Sequence, residues 1–131
     1  MQMSDIPFGT TDWDDVGETI HPGETGTARW RTREFGSIRV RVVDYSPGYR
    51  ADHWCSKGHI LYVLDGTLET ELGDGRKVTL TPGTSYLVAD GAEPHRSSTV
   101  SGARLFIVDC TGRGHSAASA GRLAIQPASC S

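Results

Sequence analysis

The chain has 131 residues, a formal net charge of −3 and 37% hydrophobic residues, enough for one domain with its own core. The negative balance and the lack of a basic face exclude a nucleic-acid binder, because phosphate neutralisation needs clustered Lys and Arg. No apolar run is long enough to span a bilayer and no basic segment followed by an apolar run opens the chain, so a cytoplasmic protein without a membrane partner is expected.

Residues 1 to about 27 are rich in Gly, Thr, Asp and Pro, with Ile6, Phe8, Trp13 and Val16 as anchors onto the domain or onto a partner subunit. Residues 28–35 and 37–45 are predicted strands, the second alternating Ile38, Val40 and Val42 against Arg39, Arg41 and Val43. A turn at Ser46-Pro47-Gly48 follows. Residues 53–64 are predicted as one extended stretch ending at the tight-turn pair Asp65-Gly66. Further strands are expected at 67–72, 77–80, 85–88 and 103–109, separated by Gly- and Pro-marked turns. His95 is expected on another strand of the same sheet as 53–64. The organisation is therefore an N-terminal extension with a strand over 1–36, a β core over 37–109 and a flexible tail over 110–131. In that tail, rich in Gly, Ala and Ser, only Leu123, Ala124 and Ile125 are apolar enough to bury.

The chemistry-bearing residues concentrate in the middle of the chain. A strand points successive side chains to opposite faces, so His53, Cys55 and His59, at odd positions of one extended stretch, are expected to share a face. His95 is the natural fourth donor. The same parity places Leu61 and Val63 on the His59 face and Tyr62 on the other, and puts Ser97 and Thr99 with His95 while Arg96 points away. Three cysteines in a cytosolic chain do not imply a disulfide framework, so Cys110 and Cys130 are expected as free thiols and Cys55 needs another explanation. His21 and His115 are expected at the surface, and Lys57 exposed. Asp52 either supports a ligand histidine or is a solvated turn carboxylate.

The stretches Gly48-x4-His53-x-Cys55-x3-His59-x6-Gly66 and Gly83-x5-Ala89-x-Gly91-x3-His95-x3-Thr99 resemble the two motifs of small single-domain cupins, G-x5-H-x-H-x3-E-x6-G and G-x5-P-x-G-x2-H-x3-N. The likeness spans roughly residues 37–109, and Asp52-His53-Trp54-Cys55 is similar to the cupin group that carries a DHWC stretch. It implies an all-β fold, a single double-stranded β-helix or jelly-roll barrel, with a divalent metal ion inside and a homodimer as the assembly.

The departures from the motifs alter the implied site. Cys55 stands where the second histidine is usual and His59 where the glutamate is usual, so the implied donors are three imidazoles and one thiolate: His53, Cys55, His59 and His95. Losing the carboxylate and gaining a thiolate favours Zn, with Fe, Ni, Cu or Mn as alternatives. With Cys55 off the metal, three histidines would leave open positions of the kind used by iron cupins that oxidise thiols. For substrate contact the preferred pair is Arg41 and Tyr45, which share a face, set against the reading that the strand arginines lie on the solvated outer surface.

The implied function is a metal-dependent enzyme acting on a small polar molecule. One form of it is N–N bond formation between two amino acids, beside a separate synthetase-like activating partner. A three-His iron oxygenase or isomerase, a non-catalytic metal or small-molecule binding barrel, and a barrel with a purely structural metal are the alternatives.

Overall fold

The computed structural model describes residues 3–111. Runs of β-branched and aromatic residues broken by Gly and Pro give nine strands among the described residues: β1 (Glu18–Pro22), β2 (Thr27–Phe35), β3 (Ile38–Tyr45), β4 (His59–Gly66), β5 (Leu68–Leu72), β6 (Lys77–Leu80), β7 (Ser85–Val88), β8 (His95–Ser98) and β9 (Ala103–Cys110). A short 3-10 turn, Trp13–Asp15, precedes them; its Asp12 cap accepts a hydrogen bond from the Asp14 amide. The strands form a six-stranded antiparallel sheet in the order β1-β2-β3-β9-β4-β7 and a three-stranded sheet in the order β6-β5-β8.

Period-two alternation builds the core. Along β4, His59, Leu61 and Val63 are buried while Ile60, Tyr62 and Leu64 are exposed. β9 sits between β3 and β4 and presents Ala103, Leu105, Ile107 and Asp109 inward. Leu105 lies across from both Val43 and Val63, and Ile107 across from both Arg41 and Leu61. Leu68 and Leu80 of the smaller sheet close over this row. Each fully buried Leu or Ile contributes about 2 kcal/mol relative to an exposed one.

The chain crosses from the larger sheet to the smaller at Gly66. Its φ is +76°, and a Cβ there would fall 2.1 Å from the Gly102 carbonyl oxygen, so only glycine fits the corner. The crossing carries β5, and with it β8, into the second sheet: Leu72 pairs with His95 and Glu69 with Ser98. His95 therefore does not lie in the same sheet as β4, as the sequence predicted, but reaches the interior from the opposite one.

The expected single extended stretch over 53–64 is also corrected, because β4 begins only at His59. The preceding residues run alongside β8 instead. The Ala51 amide donates to the Ser97 carbonyl, and Cys55 and His95 exchange two backbone hydrogen bonds of 2.8 and 2.9 Å. Between those points the chain advances four residues from 51 to 55 while β8 advances two from 97 to 95, so two residues bulge out and strict alternation through His53 is lost. Gly58 then presses against the 88–90 backbone, where a Cβ would meet the Asp90 nitrogen at 2.6 Å, and its amide donates to Asp90 Oδ1 at 2.6 Å.

The N-terminal strands are an integral edge of the larger sheet: β2 pairs with β3 along its length, and β1, which the sequence did not reveal, pairs with β2. His21 of β1 is half-buried and stacks on Trp30 with ring centroids 3.8 Å apart, so it is not the plain surface residue expected. The expectations for Cys130, His115 and the apolar trio Leu123, Ala124 and Ile125 fall outside the described residues.

One end of the core is ionic. Asp109 accepts two hydrogen bonds from Arg39, at 2.9 and 2.8 Å, and one from Arg41 at 3.1 Å; the Arg41 and Asp109 side chains are fully buried. The Arg41 guanidinium also lies 4.3 Å from the Trp30 ring centroid. Burial, followed by the charge of Arg39, lowers the Arg41 pKa to about 10.

Two stability outcomes are expected. Gly66→Ala should lose about 3 kcal/mol in urea unfolding, from backbone strain and the clash with Gly102, whereas Gly9→Ala, in open space, should stay within about 0.5 kcal/mol. Asp109→Ala strands the Arg41 charge in the interior and should cost about 3–5 kcal/mol by the same measurement.

Candidate functional site

His59 at the start of β4 and His95 at the start of β8 come from different sheets and meet edge to face, with ring centroids 4.9 Å apart. Both are buried. His95 Nδ1 lies 2.8 Å from the Glu93 carbonyl oxygen. A carbonyl can only accept, so Nδ1 carries a proton and Nε2 is the nitrogen left for the interior. That Nε2 is buried and has no hydrogen-bond partner among the described residues.

His59 Nε2 is 2.9 Å from the Tyr86 hydroxyl, and its Nδ1 is likewise buried without a partner. Burial, reinforced by His95 and Arg41, pulls the His59 pKa down to about 3, so the ring is neutral at physiological pH. Burial raises the Tyr86 pKa, which keeps the hydroxyl protonated. The centre thus consists of two imidazoles and a phenol, with one nitrogen on each ring unpartnered among the described residues.

The other expected donors are placed less simply. Cys55 is buried and sits directly across from His95 in a hydrogen-bonded antiparallel pair, the arrangement that sends two side chains to the same face. It is disulfide-bonded here, against the expectation from the odd cysteine count, while Cys110 is free. His53, displaced by the two-residue bulge, is partly exposed, and its Nδ1 pairs with Asp52 Oδ1 at 2.6 Å. The predicted four-donor cluster is therefore not assembled: among the described residues no three His, Cys, Asp or Glu side chains come together as a metal-holding group.

Arg41 and Tyr45 do share the inner face, and the outer-surface reading fails for Arg41 because Asp109 waits across the sheet to neutralise it. Tyr45 stacks on Tyr49 at 4.2 Å. Neither lines the cavity that reaches His95. Ser97 and Thr99 are buried with His95, and Arg96 points away onto Glu71 and the Trp54 ring. Lys57 is half-buried rather than exposed.

The cavity at His95 has a volume of about 350 Å³ and lies where β5, β6, β7 and β8 meet, with Tyr86 and His95 among its lining residues. Tyr86, a strand residue that the sequence reading passes over in favour of Arg41 and Tyr45, is a site residue. Its signal was parity: in Ser85-Tyr86-Leu87-Val88 the Tyr86 and Val88 positions are the less exposed ones, and Tyr86 lies across from the core residue Leu61.

The fold has counterparts among known proteins. A model of the Cupin domain matches residues 41–109. In fold the chain is similar to the polyketide cyclase RemF from Streptomyces resistomycificus, with 24% identity, 83% of each chain covered and a TM-score of 0.67. It is similar also to a predicted oxalate decarboxylase from Thermotoga maritima, with 12% identity, 76% of this chain and 96% of that one covered and a TM-score of 0.66. Fe(II)-HppE is a third such structure, at 18% identity, with 78% of this chain and 60% of that one covered and a TM-score of 0.65. No curated protein matches the chain in sequence. The domain model spans more than half of the 131 residues and ends on β9, the strand that joins β3 to β4, and the chain belongs to the cupin family.

Proposed function

We propose that this cupin is a metal-dependent enzyme acting on a small molecule held against His59 and His95. The observation that carries the reading is the facing pair of buried imidazoles, each with one nitrogen that no group among the described residues satisfies. Such orphaned nitrogens are costly unless something meets them, and a neutral imidazole is a common metal ligand. When bound, a divalent ion would polarise a substrate oxygen or activate a water.

The protein's own contributions support those two donors. The Glu93 carbonyl fixes the His95 tautomer so that Nε2 stays free, and the Tyr86 hydroxyl orients the His59 ring. The Gly58 amide held by Asp90, and the Gly91 amide held by the Ser56 carbonyl at 2.8 Å, tie the start of β4 to the loop after β7. In its reduced form Cys55, across from His95, would be the next donor, and a thiolate beside imidazoles favours zinc.

A second reading is an iron-dependent oxygenase or isomerase. The disulfide at Cys55 favours it, because it removes the thiolate and leaves imidazole donors only. Fe(II)-HppE, similar in fold, carries iron by its own description.

Elemental analysis of the purified chain, with and without a thiol reductant, tests both readings. Near-stoichiometric zinc that rises on reduction and falls in Cys55→Ser supports the zinc enzyme; iron retained in both states supports the second reading. His95→Ala should lower metal affinity by at least about tenfold and Tyr86→Phe by about tenfold, with folding intact by circular dichroism. Neither metal above background in either redox state would sink the metal-dependent reading.

A further inference from the structure

The two sheets meet along two seams. On the β8 side, the segment 50–55 bridges Ser98 through Arg50 and His95 through Cys55, which closes the edge. On the other side β6 and β7 are both edge strands, and the cavity of about 350 Å³ that reaches Tyr86 and His95 opens between them. A second recess, of about 370 Å³, lies beyond β7 at the end of the larger sheet, where β4 begins and β9 ends. His59, Ile60, Leu87, Val108 and Cys110 are among the residues that line it.

The two imidazoles of the centre divide between these spaces. His95 and Tyr86 line the first and not the second, whereas His59 lines the second and not the first. Leu87, Val88 and Ala89 line both, so the partition is one strand thick, and that strand, β7, has its only ladder with β4. The His59 ring agrees with this division. Its Nε2 is turned to the Tyr86 hydroxyl at 2.9 Å, so Nδ1 points away from Tyr86. The residue is 4% exposed, and Nδ1 meets no hydrogen-bond partner among the described residues. A buried polar atom without a partner is costly, and the recess is a space from which a molecule can meet it.

We infer that the recess at the end of the larger sheet is a second route into the centre, which admits a small, largely apolar molecule to the His59 side independently of the cavity at His95. The route serves the proposed centre at His59 and His95, on whose reading it rests, and it ends at Nδ1 or at an ion that Nδ1 holds. Two reactants can then be delivered to one centre from the two sides of β7. The lining sets the class of the second molecule. Ile60, Leu87 and Val108 give aliphatic wall, and both carboxylates of the recess are already engaged, Asp90 by the Gly58 amide and Asp109 by Arg39 and Arg41. The polar side-chain groups left are the His59 imidazole and the free thiol of Cys110. A mostly aliphatic space with one or two polar points suits a small apolar ligand.

Diethyl pyrocarbonate, a small uncharged reagent that acylates an unprotonated ring nitrogen, tests this on the full chain treated with a chelator and shown folded by circular dichroism. The rate at each histidine is read by mass spectrometry. Cys110→Trp, which fills the recess, should slow His59 at least about tenfold and leave the half-buried His21 of β1 unchanged. Ala92→Arg, at an exposed position lining the other cavity, should slow His95 and spare His59. N-phenylmaleimide attached to Cys110 of the unsubstituted chain closes the same recess and should reproduce the effect of the tryptophan, whatever that variant does to folding. Cyclohexanol, as an apolar competitor, should slow His59 at least about twofold without touching His21. An unreactive His59, a His59 rate that falls with Ala92→Arg or ignores both closures of the recess, or indifference to cyclohexanol would each overturn the inference. Zinc added to the chelated chain should protect both His59 and His95; protection of neither would overturn the metal reading alone and leave the second route standing.

Discussion

Asp109 is the interaction on which this end of the barrel turns. β9 lies between β3 and β4, so its inward row of Ala103, Leu105, Ile107 and Asp109 is the spine against which both neighbours pack. Three of those residues need only apolar neighbours. The fourth is a buried carboxylate that must be matched by charge and hydrogen bonds. Arg39 and Arg41 match it from β3, and Trp30 of β2 covers the Arg41 guanidinium with its ring face. β2, β3 and β9 are thereby fixed in register by one polar contact as well as by their ladders. His59 begins β4 at the same end, so the centre stands beside the ionic group.

The candidate site itself belongs to neither sheet. His59 comes from the larger and His95 from the smaller, and they meet because the chain changes sheets at Gly66. Their approach is a property of how the two sheets close on one another. A change at the Gly66–Gly102 corner, at the far end of β4 from His59, would therefore be felt at the centre. By contrast, the tautomer of His95 is set locally, by a carbonyl two residues away.

What was legible in the sequence follows that division. Strand alternation is a backbone property, so the shared faces of Leu61 and Val63 with His59, of Ser97 and Thr99 with His95, and of Arg41 with Tyr45 were readable from parity alone. The errors arose where a distant partner decides. The bulge before Cys55 exists because that segment pairs with β8, and nothing in the residues 50–55 marks which two must loop out. His95 lands in the second sheet because β5 has already crossed. Arg41 is buried because a carboxylate 68 residues away neutralises it. Tyr86 becomes a site residue only through a contact with His59, 27 residues away.

The same logic bears on how ligand and fold share the interior. A closed barrel of apolar residues would be the more stable packing, and this chain instead leaves two imidazole nitrogens unsatisfied and one seam unbridged. Both departures fall in one place, since His95 carries an orphaned nitrogen and lines the cavity at the open seam. The β8 edge, by comparison, is sealed by backbone hydrogen bonds from the 50–55 segment. Polar groups left unpaired in a core are costly, and their coincidence with an open seam places the cost where binding can recover it.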